Sequence, residues 1–163
     1  MEARLSFIRR LLTESPLIGG FHHYTNFSQS YYEIKENMIG ALLWPVSVPC
    51  GAQHLDAVQL ALEGIDEAKR LVQKTPGLRI VDNADEMELT HNEDGIGVLL
   101  GLEGGHSLGS SLAVLRMLHS LGVRFVSLTS SDCTNPWVSA VPTNGESVFD
   151  ADKPNTLSNF GQV

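Results

Sequence analysis

Apolar and polar residues follow two different periods along this chain, and the switches between them outline its elements. From His54 to Lys74 apolar side chains recur at Leu55, Val58, Leu62, Ile65, Ala68 and Val72, the three-and-four spacing that lines one face of a helix. Asp56 near its start and Lys69, Arg70 and Lys74 near its end suit the helix dipole, and Pro76-Gly77 stops it. Leu5 to Thr13 has the same character over a shorter length. It ends at Glu14-Ser15-Pro16, because the residue before a proline is pushed out of helical backbone angles. Asn83 followed by Glu86 has capping-box spacing and opens a helix through about Glu93. Ser110 or Ser111 caps another, carrying Leu112, Leu115, Leu118 and Leu121 and closed by Gly122.

Between these segments lie apolar runs with no helical period: Pro16 to Phe21, Ile39 to Val48 with a bend expected at Pro45, Ile96 to Leu102, and Val123 to Thr129. The second and third are nearly continuous in Val, Ile, Leu and Gly, as strands buried on both faces are. Strands alternating with amphipathic helices imply βα units, and so an α/β fold with a parallel sheet and helices outside it. About four strands and three or four helices are expected in 163 residues, whereas a closed (β/α)8 barrel takes at least about 200. The pattern is therefore that of half a barrel. Residues 130–163 are rich in Ser, Thr, Asn, Pro and Gly and are expected to be mostly irregular.

Composition narrows the function classes. With 42% hydrophobic residues the chain can build a core, and with 19 acidic against 11 scattered basic residues it has no cationic stripe for phosphates. Nucleic acid is excluded as an expected partner. No run of roughly 18 apolar residues is present to span a bilayer, and residues 1–15 lack the continuous apolar stretch of a signal peptide. On the residues alone the chain reads as cytosolic. Cys50 and Cys133 fit either two buried thiols or one long-range disulfide, the latter requiring an oxidising compartment.

Reactive groups in parallel α/β folds gather where strands end at their C-terminal side. Three such places carry candidate chemistry. Phe21-His22-His23-Tyr24 follows the first strand; adjacent residues of a strand point to opposite sides, so only one of the two histidines readily faces a shared metal. Glu103 ends an otherwise apolar strand in Leu102-Glu103-Gly104-Gly105-His106. A carboxylate placed there must be paired, protonated or bound to a cation, although Glu-Gly-Gly-His is also ordinary turn composition. Ser130-Ser131-Asp132-Cys133-Thr134-Asn135-Pro136-Trp137 follows the last strand and reads equally as a turn and capping segment. No nucleotide-binding fingerprint occurs.

Taken in order, Ser15-Pro16-Leu17-Ile18, Gly40-Ala41-Leu42-Leu43-Trp44, Val48-Pro49-Cys50, Asp56-Ala57-Val58, Leu102-Glu103-Gly104-Gly105-His106-Ser107, Leu115-Arg116, Leu121-Gly122-Val123-Arg124, Leu128-Thr129 and Asn135-Pro136-Trp137 resemble the membrane (renal) dipeptidase family. The resemblance covers nearly the whole chain and implies a partial metallodipeptidase domain over 1–163. In that family the fold is a zinc-bearing (β/α)8 barrel that hydrolyses dipeptides. The carboxylate matching Glu103 bridges two zinc ions, whose shared hydroxide attacks the peptide carbonyl. The resemblance also implies a Cys50–Cys133 disulfide and a lipid-anchored protein on the extracellular face of the plasma membrane.

The departures from the family pattern lie at the ligands. Where the family has Asp-Gly-His-x-Asp after the first strand, this chain has Phe21-His22-His23-Tyr24, so His22 or His23 is the candidate zinc ligand and the aspartate is missing. The family histidine that helps hold substrate is replaced by Ser130. The family's later ligands and its acid/base aspartate would fall beyond Val163. Zinc binding by this chain is accordingly expected to be weak or absent, since one carboxylate and one histidine fall short of three or four protein ligands. Dipeptide hydrolysis is expected only of a longer form, with a non-catalytic binding role as the alternative. Open strand edges lead to the expectation that the isolated chain aggregates or forms a homodimer.

Overall fold

The computed structural model describes residues 2–20, 27–127, 133 and 135–137. In chain order the described elements are α1 (Glu2–Glu14), β1 (Leu17–Gly19), α2 (Phe27–Glu36), β2 (Ile39–Ser47), α3 (Ala57–Lys74), β3 (Leu78–Ile80), α4 (Ala84–Asn92), β4 (Ile96–Glu103), α5 (Leu112–Ser120) and β5 (Val123–Val126). Short 3-10 turns follow β2 at Cys50–Ala52 and β4 at Gly105–Leu108. The sheet order is β1-β2-β4-β3, with β5 also paired to β4. β1 runs parallel to β2 with Ile18 opposite Ala41, and β3 runs parallel to β4 with Ile80 opposite Val98.

The chain divides into two compact units, one made of the residues up to Pro45 with Glu67–Gly101, the other of Val46–Asp66 with the residues from Leu102 onward. In the first unit, β2 shows why both faces of the sheet must be covered. Ala41 and Leu42 are adjacent and both fully buried, and neighbours on a strand point to opposite sides. Leu42 packs with Ile34 and Ile96, bordered by Tyr31, Trp44 and Leu71. Ala41 packs with Val81, Met87 and the edge of Leu99. Two apolar clusters, one per face, account for the unbroken hydrophobic runs in β2 and β4.

Caps form where the sequence places them. Asn83 accepts a hydrogen bond from the Glu86 N–H at 2.9 Å, and the Glu86 carboxylate answers by accepting from the Asp82 N–H at 3.1 Å, one residue earlier than an ordinary capping box. Of the two candidate serines it is Ser111 that caps α5, accepting from the Val114 N–H at 3.3 Å. Ser110 instead takes a left-handed backbone angle, φ 53°.

Three expectations need correction. The long helix starts at Ala57, not His54, because His54 sits at φ 68° in a turn and breaks helical geometry. Leu55 therefore lies before the helix and is 83% exposed, and Leu62 is 41% exposed. The buried row is Ala57, Ala61, Ile65, Ala68 and Val72, a helical face with steps of four and three whose alanines permit close approach. α2 and β3 were not expected. α2 places one aliphatic side chain in a core, Ile34, too few for a visible period, and β3 has only three residues. The strand expected over Ile39 to Val48 is present as β2, which runs through Pro45 to Ser47. Leu128 and Thr129, expected at the end of the last strand, lie outside the described residues.

Candidate functional site

β4 alternates so that Ile96, Val98, Leu100 and Leu102 share one face and Gly97, Leu99, Gly101 and Glu103 the other. The first face is the one on which Ile96 meets the helices through Ile34 and Leu71. Glu103 therefore belongs to the opposite face, at the strand's C-terminal end, where it is partly exposed. In a parallel βα sheet that position is where loops leave the strands and where substrate chemistry is built.

The backbone behind Glu103 turns sharply and is fixed within the second unit by side chains. Gly104 takes φ 86°, a conformation L side chains rarely adopt. Its N–H donates to Ser127 Oγ at 2.7 Å, and its carbonyl accepts from Ser107 Oγ at 2.8 Å. The Gly105 N–H donates to Asn135 Oδ1 at 2.7 Å, while Asn135 Nδ2 donates to the Cys133 carbonyl. A Cβ on Gly105 would run into the Trp137 ring. His106 donates from Nε2 to the Val48 carbonyl at 2.7 Å. Ser107, His106 and Asn135 are all buried, and together they tie this turn to the exits of β2 and β5.

A disulfide joins Cys50 and Cys133, with Cα atoms 5.0 Å apart. One ring nitrogen of His106 lies within 4.8 Å of both sulfurs, so these three residues form a compact cluster of potential metal ligands. As a disulfide the two sulfurs are not ligands, because a thiolate is the species that binds metal. His22, His23 and Ser130 lie outside the described residues. Glu103 fits as one oxygen donor for the family's metal centre. Among the described residues no group of three His, Cys, Asp or Glu includes it. In the first unit a cavity of about 280 Å³ is lined by Thr13, Gly40, His91 and Ile96, at the N-terminal ends of β2 and β4.

Sequence reasoning quoted His106 and Asn135 only as parts of motifs and assigned them no role. The local signal was present: a histidine directly after a glycine pair, and an asparagine before Pro-Trp, both two or three positions from a residue already singled out. What could not be seen was that the side chains of these residues, and not the backbone alone, hold the loop.

The strands and helices define an α/β protein built on parallel strand pairs. A family model for membrane dipeptidases, peptidase family M19, matches residues 7–163, and the chain belongs to that metal-dependent family. Dipeptidase 3 of Rattus norvegicus is 41% identical over 116 residues, which is 71% of this chain and 23% of that protein. Dipeptidase 3 of Homo sapiens is 40% identical over 115 residues, 69% of this chain and 23% of that one. The chain's match thus spans about a quarter of the length of these relatives. Among solved structures, an amidohydrolase from Pseudomonas aeruginosa superposes with TM-score 0.72 at 15% identity over 94% of this chain and 43% of that one. A metallopeptidase from Rhodobacter sphaeroides, bound to a phosphinate mimic of the dipeptide L-Ala-D-Ala, gives 0.67 at 17% identity over 90% and 54%. These superpositions establish the fold, part of a TIM-type barrel.

Proposed function

We propose that this chain supplies the first half of a metal-dependent dipeptidase, with Glu103 as the carboxylate that bridges two zinc ions. The observation that carries the reading is the position of Glu103: the last residue of an apolar strand, on the strand face opposite Ile96 and Leu102, with the turn behind it locked by Ser107, Ser127 and Asn135. Bound zinc would supply an activated hydroxide and a Lewis acid for the peptide carbonyl. What this chain contributes is a fixed oxygen donor on a rigid strand end, the arrangement that holds a functional group to within fractions of an ångström. The substrate class is a dipeptide, in keeping with the dipeptide mimic carried by the Rhodobacter relative. His22 or His23 is proposed as a further ligand, and Ser130 is proposed for the substrate-holding role that the family gives to a histidine.

The disulfide favours an oxidising compartment, which supports the proposal of a lipid-anchored protein outside the cell. Among the described residues no helix is long and apolar enough to cross a membrane. The family's Asp-Gly-His-x-Asp is replaced by Phe21-His22-His23-Tyr24, and this one observation favours a second reading, a dipeptide-binding protein without turnover.

The test compares the 163-residue chain with a longer chimera in which a dipeptidase relative supplies the remaining barrel. The chain alone should bind Zn²⁺ weakly and hydrolyse no dipeptide. Tight stoichiometric zinc with turnover would show that the site is already complete. In the chimera, Glu103→Gln should lower both zinc content and dipeptide turnover, the latter by at least about 100-fold. A chimera that binds dipeptide, shows no turnover and is indifferent to Glu103→Gln would establish the second reading.

A further inference from the structure

We propose that Cys50, Cys133 and His106 form a second, redox-gated metal site, closed while the disulfide is intact and able to take a zinc-like cation when it is reduced. The site does not rest on the Glu103 reading, and its three ligands are none of the groups proposed there as metal ligands or substrate contacts. Two observations carry it. The first is the cluster itself: both sulfurs and a nitrogen of His106 lie within 4.8 Å of one another. A tetrahedral zinc ion, with Zn–S of about 2.3 Å and Zn–N of about 2.0 Å, needs its ligand atoms roughly 3.5–3.8 Å apart. Opening the disulfide and rotating the two cysteines brings the set to that spacing.

The second observation is an unsatisfied nitrogen. His106 is 3% exposed. Its Nε2 sits 2.7 Å from the Val48 carbonyl, which can only accept, so the ring proton is on Nε2. Nδ1 is then a lone-pair acceptor, and it is buried with no hydrogen-bond partner among the described residues. Leaving such an atom unpaired costs about 1–3 kcal/mol, and nothing in the loop's hydrogen bonding needs it. A metal-bound histidine characteristically donates its other ring N–H to a carbonyl or carboxylate, which fixes both tautomer and orientation. The Val48 carbonyl provides that here, two residues before Cys50. The Cys133 carbonyl is likewise held by Asn135 Nδ2. The Val48 contact thus fixes the ring and leaves Nδ1 as the nitrogen available to a cation, and the neighbourhood of each cysteine is braced.

The chemistry balances with a dithiol reductant. A reductant thiolate attacks one sulfur of the Cys50–Cys133 bond and forms a mixed disulfide, and its second thiol then displaces the protein sulfur. Two electrons and two protons pass to the cysteines, and the reductant leaves as its disulfide. Binding a divalent ion releases the two thiol protons to solvent. Two thiolates, a neutral imidazole and a 2+ ion sum to zero charge, which suits a buried place. Soft sulfur with imidazole selects zinc-like ions over Mg²⁺ or Ca²⁺. With three protein ligands the fourth position is open to water or a small anion.

The experiment uses the full 163-residue chain and Co²⁺ as the probe. The disulfide is reduced by a phosphine, which takes its oxygen from water and does not compete for metal. Reduced chain should bind one Co²⁺ with a thiolate-to-cobalt charge-transfer band, displaced by Zn²⁺, while oxidised chain shows no such band. Oxygen ligation at Glu103 gives none, so the signal belongs to this site alone. His106→Gln should weaken binding by about tenfold or more, and Zn²⁺ should protect both cysteines of the reduced wild type from alkylation. The proposal is overturned by an absent thiolate band in the reduced chain, by equal affinity in His106→Gln, or by a reduced chain that stays unfolded when Zn²⁺ is added.

Discussion

The two compact units of the chain keep their order by different means. In the first, the described buried residues are almost wholly apolar, two clusters around Leu42 and Ala41 on opposite sheet faces, and the one buried polar side chain, Thr90, returns its hydroxyl to its own helix at Glu86 O. In the second, His106, Ser107 and Asn135 are buried beside a disulfide. Apolar burial is non-directional and tolerates rearrangement, whereas hydrogen-bonded groups and a covalent link fix positions. The unit that carries Glu103 is thus built for placement, and the other for bulk stability.

The comparison is broken most directly at the covalent link. Replacing Cys50 and Cys133 together by Ser removes a closure spanning 83 residues, for which loop entropy predicts about 4–5 kcal/mol as an upper value. In oxidising buffer the double variant should lose stability by several kcal/mol in urea unfolding. In reducing buffer without metal it should match the wild type, and equal loss in both buffers would mean that the cysteines act through packing. Leu42→Ala comes next, at about 3 kcal/mol for a fully buried leucine in the other unit. Its cost should be the same in both buffers. A redox-dependent cost would show that the two means of stabilisation are not separate.

A polar deletion sharpens the contrast. Asn135→Ala leaves the Gly105 N–H without its acceptor and removes the donor to the Cys133 carbonyl, at about 2 kcal/mol. Hydrogen exchange at Gly105 should accelerate far more than exchange at Val98 or Ile96 in β4. Uniform acceleration along the strand would mean that Asn135 supports the whole sheet rather than the turn.

How much of this was legible follows the same divide. Helices α3 and α5 could be read from their apolar periods, strands β2 and β4 from unbroken apolar runs of eight residues or more, and α4 from the capping-box spacing at Asn83, while the cap of α5 was narrowed to Ser110 or Ser111. β3 escaped because three residues have no period, and α2 because a single buried aliphatic side chain anchors it. Glu103 was legible as a charge ending an apolar strand. The roles of His106 and Asn135 were not, since each depends on a partner 58 or 30 positions away in sequence, a pairing that only the folded chain creates.

The smallest expected effect tests whether local signals act locally. Asn83 caps α4 by accepting from the Glu86 N–H, and Glu86 returns the bond to the Asp82 N–H, so Asn83→Ala removes one side of a reciprocal pair and leaves the other. The loss should be about 1 kcal/mol, below that of Asn135→Ala, because the freed Glu86 N–H is exposed and water replaces the lost acceptor. Asn83→Asp keeps an oxygen at the cap and adds a negative charge to the helix N-terminus, so it should recover that stability or exceed it slightly. Should Asn83→Asp be as destabilised as Asn83→Ala, the cap oxygen would not be what holds the start of α4. The contact of Met87 with Ala41 and Val81, one turn further along and inside the apolar cluster, would then be its anchor.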